Sequence, residues 1–173
     1  MSFIKSNAIT DQVIIYAALR IGEWQALTKS DCDFDNNTLF VHSQIDNHGR
    51  LKEKTKNKED RFVKIPSQFM KELKLYIDSR HINNDEFIFM GVRCAHVGRR
   101  FIREMINKHI QLAGLNHLTP HGLRHSFATR MFDKGYDIKE VQMQLGHSSM
   151  ETTMKYYIHY TRSKQKKDLD DLL

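Results

Sequence analysis

Three glycines, Gly114, Gly135 and Gly146, cut the second half of this 173-residue chain into segments of helix length. A glycine accepts the left-handed backbone that closes a helix, so each reads as a C-terminal stop. The pattern predicts helices at roughly 95–113, 121–134, 137–145 and 149–160. The first half reads differently. Helices are expected over about 8–19 and from Glu23 to Lys29, where Ser30 and Asp31 break the pattern. A strand-like meander follows, with Leu39, Val41 and Ser43 alternating against Phe40, His42 and Gln44. Turns are expected at Asp33–Asn37 and at Asn47-His48-Gly49, and Phe62–Ile65 reads as a third short strand before Pro66. Ser67 is the expected cap of a helix to about Arg80, with Phe69, Leu73 and Tyr76 or Ile77 on one face. The segment Phe87-Ile88-Phe89 reads as short and buried. The expected fold class is mainly α with a small three-stranded antiparallel sheet, an α+β domain over residues 1–161 with a tail at 162–173.

Hydrophobic residues make up 40% of the chain and charged residues 28%, a balance that excludes a disordered or collagen-like polymer. The longest apolar run, Val13 to Leu19, is too short to span a bilayer and lacks the features of a signal peptide. Two cysteines, Cys32 and Cys94, cannot make a disulfide framework, which points to a reducing, cytoplasmic setting. The formal charge is +6 and the cations are clustered. Between Arg50 and Lys64 lie Arg50, Lys52, Lys54, Lys56, Lys58, Arg61 and Lys64 against only Glu53, Glu59 and Asp60. A second group is Arg93, Arg99, Arg100 and Arg103. Patches of this kind suit a phosphate backbone better than an even scatter does.

Three segments carry chemistry. The first, Leu19-Arg20-Ile21-Gly22-Glu23, places Arg20 and Glu23 three apart at a helix junction, the spacing of an ordinary ion pair. The second is Thr119-Pro120-His121-Gly122-Leu123-Arg124-His125. Thr119 caps and Pro120 opens a helix whose first turn carries His121 and Arg124 on one face, near free N–H groups that favour anions. His121 and His125 have zinc-like spacing, but the Arg between them would repel a cation. The third segment runs from Leu145-Gly146-His147 to Tyr156-Tyr157-Ile158-His159, with His147 on a turn and the tyrosines on the following helix.

Taken in order, Arg20, a lysine in a basic hairpin, His121-x-x-Arg124, Leu145-Gly146-His147 and a tyrosine ten residues after that histidine resemble the tyrosine recombinase, or phage integrase, family. The resemblance covers about Ala17 to Thr161. It implies the catalytic-domain fold of that family, and a site-specific recombinase that breaks and rejoins double-stranded DNA through a 3′-phosphotyrosyl link, for integration or excision of a mobile element. It also implies a homo-oligomer, a tetramer, on DNA. Arg20 and Arg124 would clamp the phosphate, His121 would act as general base, and His147 would donate a hydrogen bond to the transition state. Tyr157 is the expected nucleophile, because Tyr157-Ile158-His159 fits the family's Tyr-x-His ending. Lys54 is the expected acid, with Lys56 as the alternative. Glu23 and His125 would support. Lys52, Lys56, Lys58, Arg61, Arg99, Arg100 and Arg103 are the expected DNA contacts. No metal or other cofactor is expected, since the charge-stabilising groups are guanidinium and imidazole.

Two departures from the family pattern stand out. Ala17-Ala18 occupies the place of a Thr-Gly pair, a change that reads as harmless. The helical clamp domain that precedes this domain in the family has no counterpart here, implying a catalytic-domain fragment or an abbreviated product. The tail, with Leu169, Leu172 and Leu173 on one face, would dock on a neighbouring copy. Other readings are a non-catalytic DNA-binding relic of the same fold and a zinc hydrolase using His121, His125 and His147. A type IB topoisomerase would share the chemistry, but the Leu-Gly-His and Tyr-x-His context favours an integrase.

Overall fold

Helices end just before Gly114, Gly135 and Gly146, and all three glycines take positive φ. The structure, a computed structural model, describes residues 17–53, 60–91, 95–114 and 119–164, with side chains as far as residue 161. Six α-helices lie among the described residues. They are α1 (Ile21–Gln25), α2 (Ser67–Ser79), α3 (Arg99–Leu112), α4 (Pro120–Asp133), α5 (Ile138–Leu145) and α6 (Met150–Lys164). The α6 helix runs past residue 161, where the tail was expected to begin. The helix expected over 8–19 lies almost wholly outside the described residues. Helix α1 starts before Glu23 and ends at Gln25, short of Lys29, because Thr28 is extended and bridges to Phe87, and residues Lys29–Asp31 form a separate 3₁₀ turn. Ser67 is the first residue of α2 rather than its cap, a place taken by Pro66. Phe69, Met70, Leu73 and Ile77 form the buried face of that helix.

The strands are β1 (Cys32–Asp33), β2 (Thr38–Val41), β3 (Ser43–Ile45), β4 (Leu51–Glu53) and β5 (Arg61–Lys64). The expected three-stranded antiparallel sheet is present in the order β1-β2-β5, with Leu39 opposite both Cys32 and Val63. The strand expected over 39–44 is interrupted at His42. Beyond it, β3 pairs with β4 as a separate two-stranded ladder. Alternation survives the break, because Leu39, Val41, Ser43 and Ile45 all point inward. At the break, His42 Nε2 lies 3.0 Å from the buried Asp31 carboxylate. Phe87-Ile88-Phe89 adds one bridge between Phe87 and Thr28, and the Ile88 N–H donates to the Leu27 carbonyl.

Apolar side chains gather in two clusters. The larger holds Trp24, Leu39, Val63, Leu73, Ile88 and Ile102, with the Trp24 and Phe89 rings stacked at 4.1 Å. The smaller lies among α4, α5 and α6 and holds Ala18, Ala128, Phe132, Val141, Leu145 and Tyr156. Gly22 lets α1 press onto β3, since a Cβ there would stand 2.5 Å from the Ile45 carbonyl oxygen. That close approach fixes α1, and with it Arg20 and Glu23, against the sheet. Among the described residues no helix is long and apolar enough to cross a membrane.

Candidate active site

Arg20 precedes the first turn of α1, and Glu23 in that turn reaches back to it. The Arg20 backbone N–H donates to Glu23 Oε2 (3.1 Å) and Nη1 donates to Oε1 (2.9 Å). Arg20 Nη2 donates to the Gly146 carbonyl at 2.9 Å. The arginine side chain keeps 44% of its surface in solvent while the glutamate keeps 1%. A buried carboxylate therefore aims a cation that remains open to a ligand.

Thr119 caps α4 as expected, its hydroxyl accepting from the Gly122 N–H at 3.0 Å. One turn on, Arg124 is buried and donates through Nη1 to the Ala18 carbonyl and through Nη2 to the Leu145 carbonyl. Helix α5 ends there, so Leu145 and Gly146 offer terminal carbonyls that lack helical partners. The two arginines grip consecutive carbonyls at the negative end of α5, where cations are favoured. Ala18 has φ +49°, a left-handed backbone that costs a non-glycine residue about 1–2 kcal/mol. Replacement of the family's glycine here is not conformationally neutral. Burial, then the nearby Arg20 charge, lowers the Arg124 guanidinium to about 10, so it stays charged at neutral pH. A guanidinium has five N–H groups, and two from Arg124 are used on carbonyls, which orient the group and leave N–H donors for an anion.

His147 follows Gly146 and is buried. Its Nδ1 lies 2.9 Å from the Thr153 hydroxyl, and its main chain is tied to Gln142 on both sides. Burial first, then Arg124, Arg20, Arg61 and His121, lowers its pKa to about 4. A neutral ring that accepts the Thr153 proton at Nδ1 carries its own proton on Nε2. In that tautomer the Nε2–H is a donor near the charges of Arg124 and Arg20.

The structure brings Tyr156, not Tyr157, to these groups. Tyr156 is 6% exposed, and its hydroxyl is 3.3 Å from His121 Nε2. Its ring lies 4.6 Å from that of His125 and 5.4 Å from that of His147. Tyr157 is 36% exposed and packs on Phe132 at 5.2 Å and Tyr160 at 6.3 Å. Adjacent helical residues diverge by about 100°, so Tyr157 is turned away from the histidines. Thr153, Tyr156 and Tyr160 fall at i, i+3 and i+7 on α6, a stripe that could have singled out Tyr156 and the unpredicted Thr153 from the sequence. His125 stacks beside Tyr156, and burial, with His159 and His121, lowers its pKa.

The expected DNA contacts divide. Arg61 is not a free surface cation: its side chain is 9% exposed and paired with Glu23 through Nη1 (3.1 Å) and Nη2 (2.9 Å). Arg99 is half-buried and donates to the Ile45 carbonyl at 2.6 Å, bracing β3. Arg100 is exposed beside Glu104, Arg103 is exposed, and Lys52 is exposed with Asp46 3.4 Å away. Lys54, Lys56 and Lys58 lie outside the described residues. For the zinc reading, His121, His125 and His147 surround the Tyr156 ring, and among the described residues no three His, Cys, Asp or Glu side chains converge as a metal site.

Residues 4–164 match the family model described as the Phage integrase family. The chain is 31% identical over 157 residues to the tyrosine recombinase XerC of Corynebacterium glutamicum, covering 89% of this chain and 46% of that protein. It is 32% identical over 162 residues to the tyrosine recombinase XerA of Thermococcus onnurineus, covering 90% and 53%. It thus spans about half the length of these relatives. The fold is that of XerA recombinase in its crystal structure, at TM-score 0.70 and 25% identity, covering 97% of this chain and 65% of that one. It is also that of XerH site-specific recombinase bound to difH substrate, at TM-score 0.74 and 24% identity, covering 96% and 47%.

Proposed function

The chain belongs to the phage integrase family, and from that premise we propose that it breaks and rejoins DNA in site-specific recombination, with Tyr156 as its nucleophile. One observation carries the reading: the Tyr156 hydroxyl sits 3.3 Å from His121 Nε2 in a ring of histidines beside Arg20 and Arg124. A phenol has a reference pKa of about 10 and attacks phosphorus only if its proton is taken. His121 Nε2 accepts that proton as the Tyr156 oxygen bonds to the phosphorus, and the bond to the 5′ oxygen breaks. Arg20 and Arg124 neutralise the non-bridging oxygens, and the Nε2–H of His147 donates to one of them. Lys54 returns a proton to the departing 5′ oxygen, with Lys56 next in order; both belong to the segment that joins β4 to β5. The phosphotyrosyl bond conserves the energy of the broken linkage, so rejoining needs no nucleotide cofactor. A protein that acts on a bacterial or archaeal chromosome or mobile element works in the cytoplasm.

Covalent capture tests this. The protein is incubated in EDTA with a pool of nicked duplexes of randomised sequence, from which a cleaved strand cannot religate, and linked DNA is recovered and its peptide mapped. The expected product is a phosphotyrosyl adduct at Tyr156 that persists in Tyr157→Phe and vanishes in Tyr156→Phe. An adduct at Tyr157 overturns the assignment of the nucleophile, and no adduct from the wild type overturns the proposed activity.

A further inference from the structure

We infer that Arg61 is a positioning residue for cleavage, holding Glu23 and the Gly146 turn so that Arg20 faces the phosphate; this rests on the activity proposed above. Glu23 has two oxygens, and each receives one proton from each of two donors. Oε1 accepts from Arg20 Nη1 (2.9 Å) and Arg61 Nη1 (3.1 Å). Oε2 accepts from the Arg20 N–H (3.1 Å) and Arg61 Nη2 (2.9 Å). The Arg61 fork is bidentate, which fixes the carboxylate plane as well as its position. Arg20 then has one orientation in which it meets both that carboxylate and the Gly146 carbonyl.

The same guanidinium touches the other side of the site. Its Nε donates to the Gln144 carbonyl at 3.4 Å. A Cβ on Gly146 would overlap the guanidinium carbon of Arg61, so glycine there serves a packing need besides its φ of +64°. Further along β5, the Lys64 N–H donates to Gln144 Oε1 (3.2 Å) and Gln144 Nε2 donates to the Lys64 carbonyl (2.9 Å). The strand that follows the lysine segment is thereby bolted to the end of α5. Arg61 joins three pieces distant in sequence: the strand after Lys54 and Lys56, the turn that presents His147, and the carboxylate that aims Arg20. With 9% of its side chain in solvent, it offers little surface to a DNA phosphate.

A phosphate contact and a positioning residue fail differently. The probe is a nicked duplex recovered from the randomised pool by the wild-type protein, with binding followed by anisotropy across a salt series and adduct formation timed at saturating protein. Arg61→Lys keeps the positive charge beside Glu23, and Arg61→Gln keeps an uncharged amide NH₂ as donor; whichever melts cooperatively like the wild type carries the test. Adduct formation at saturation is expected to slow by about 10- to 100-fold. Affinity and the slope of its salt dependence should stay at wild-type values. A wild-type rate at saturation overturns the inference, as does a salt slope smaller by about one, which marks a lost phosphate contact. A wild type that forms no adduct on any duplex removes the parent reading and this one with it, a result separate from a variant that cleaves normally.

Discussion

Acid should unfold this domain in part through His147. An unfolded histidine titrates near 6.5, whereas burial and the charges of Arg124, Arg20, Arg61 and His121 lower folded His147 to about 4. Between those values the unfolded chain holds the proton and the folded chain does not, so stability rises with pH across the window. The contribution is whole above about pH 7 and falls as pH drops through the unfolded value. It is exhausted below the folded one. For these two pKa values the loss between pH 7.5 and pH 5 is about 2 kcal/mol, growing to about 3 kcal/mol at pH 4. A domain of this size has a total stability of only about 5–15 kcal/mol.

The assay is urea unfolding at pH 7.5, 6 and 5 for the wild type and for His147→Gln, with the m-value checked for constancy. Glutamine keeps a donor near the ring position but does not titrate, so other acid-sensitive groups, His125 included, cancel in the difference. The wild type should lose about 2 kcal/mol more than the variant between pH 7.5 and pH 5. Parallel curves would refute the reasoning. They would mean that His147 protonates in the folded state as readily as in the unfolded one, and that its ring is neither desolvated nor faced by the arginines.

Two substitutions probe the buried partners. Thr153→Val preserves shape but leaves Nδ1 of the buried His147 without its hydroxyl, so urea unfolding should show a loss of about 1–3 kcal/mol that Thr153→Ser largely restores; equal losses in both would make the effect one of packing. Glu23→Gln should cost about 3–5 kcal/mol because it strands Arg61 in the interior, whereas Arg20→Ala, which breaks a half-exposed pair, should cost about 0–1 kcal/mol. Equal costs by thermal denaturation would show that Arg61 is not the interior partner of Glu23.

What was legible in the sequence was local. Helices α3, α4 and α5 each bury one face and meet a glycine, and Thr119 caps α4 because its oxygen needs only the N–H three residues on. Those interactions close within a few residues, so the spacing of residue types contains them. The break at His42 was not legible, since it depends on Asp31 coming within 3.0 Å and on β4 pairing with β3 alone. Two expectations at the site part from the observed geometry, for distinct reasons. Arg61 stands in a run of cations, and its neighbours in sequence suggest a surface patch. Its partner Glu23 lies 38 residues away, and only the fold shows that this one cation is consumed. Tyr157 satisfied the short ending Tyr-x-His, which samples three residues on one side of the pair. The phase of α6 is fixed over about two turns, by Thr153 under His147 and Tyr160 against Phe132. Helical phase is the stronger constraint, because moving Tyr157 to the histidines would require rotating the whole stripe by about 100° and exposing Thr153 and Tyr156. A tripeptide match leaves that cost out of view, so which tyrosine of the pair meets the histidines is decided by the buried face on which the helix rests.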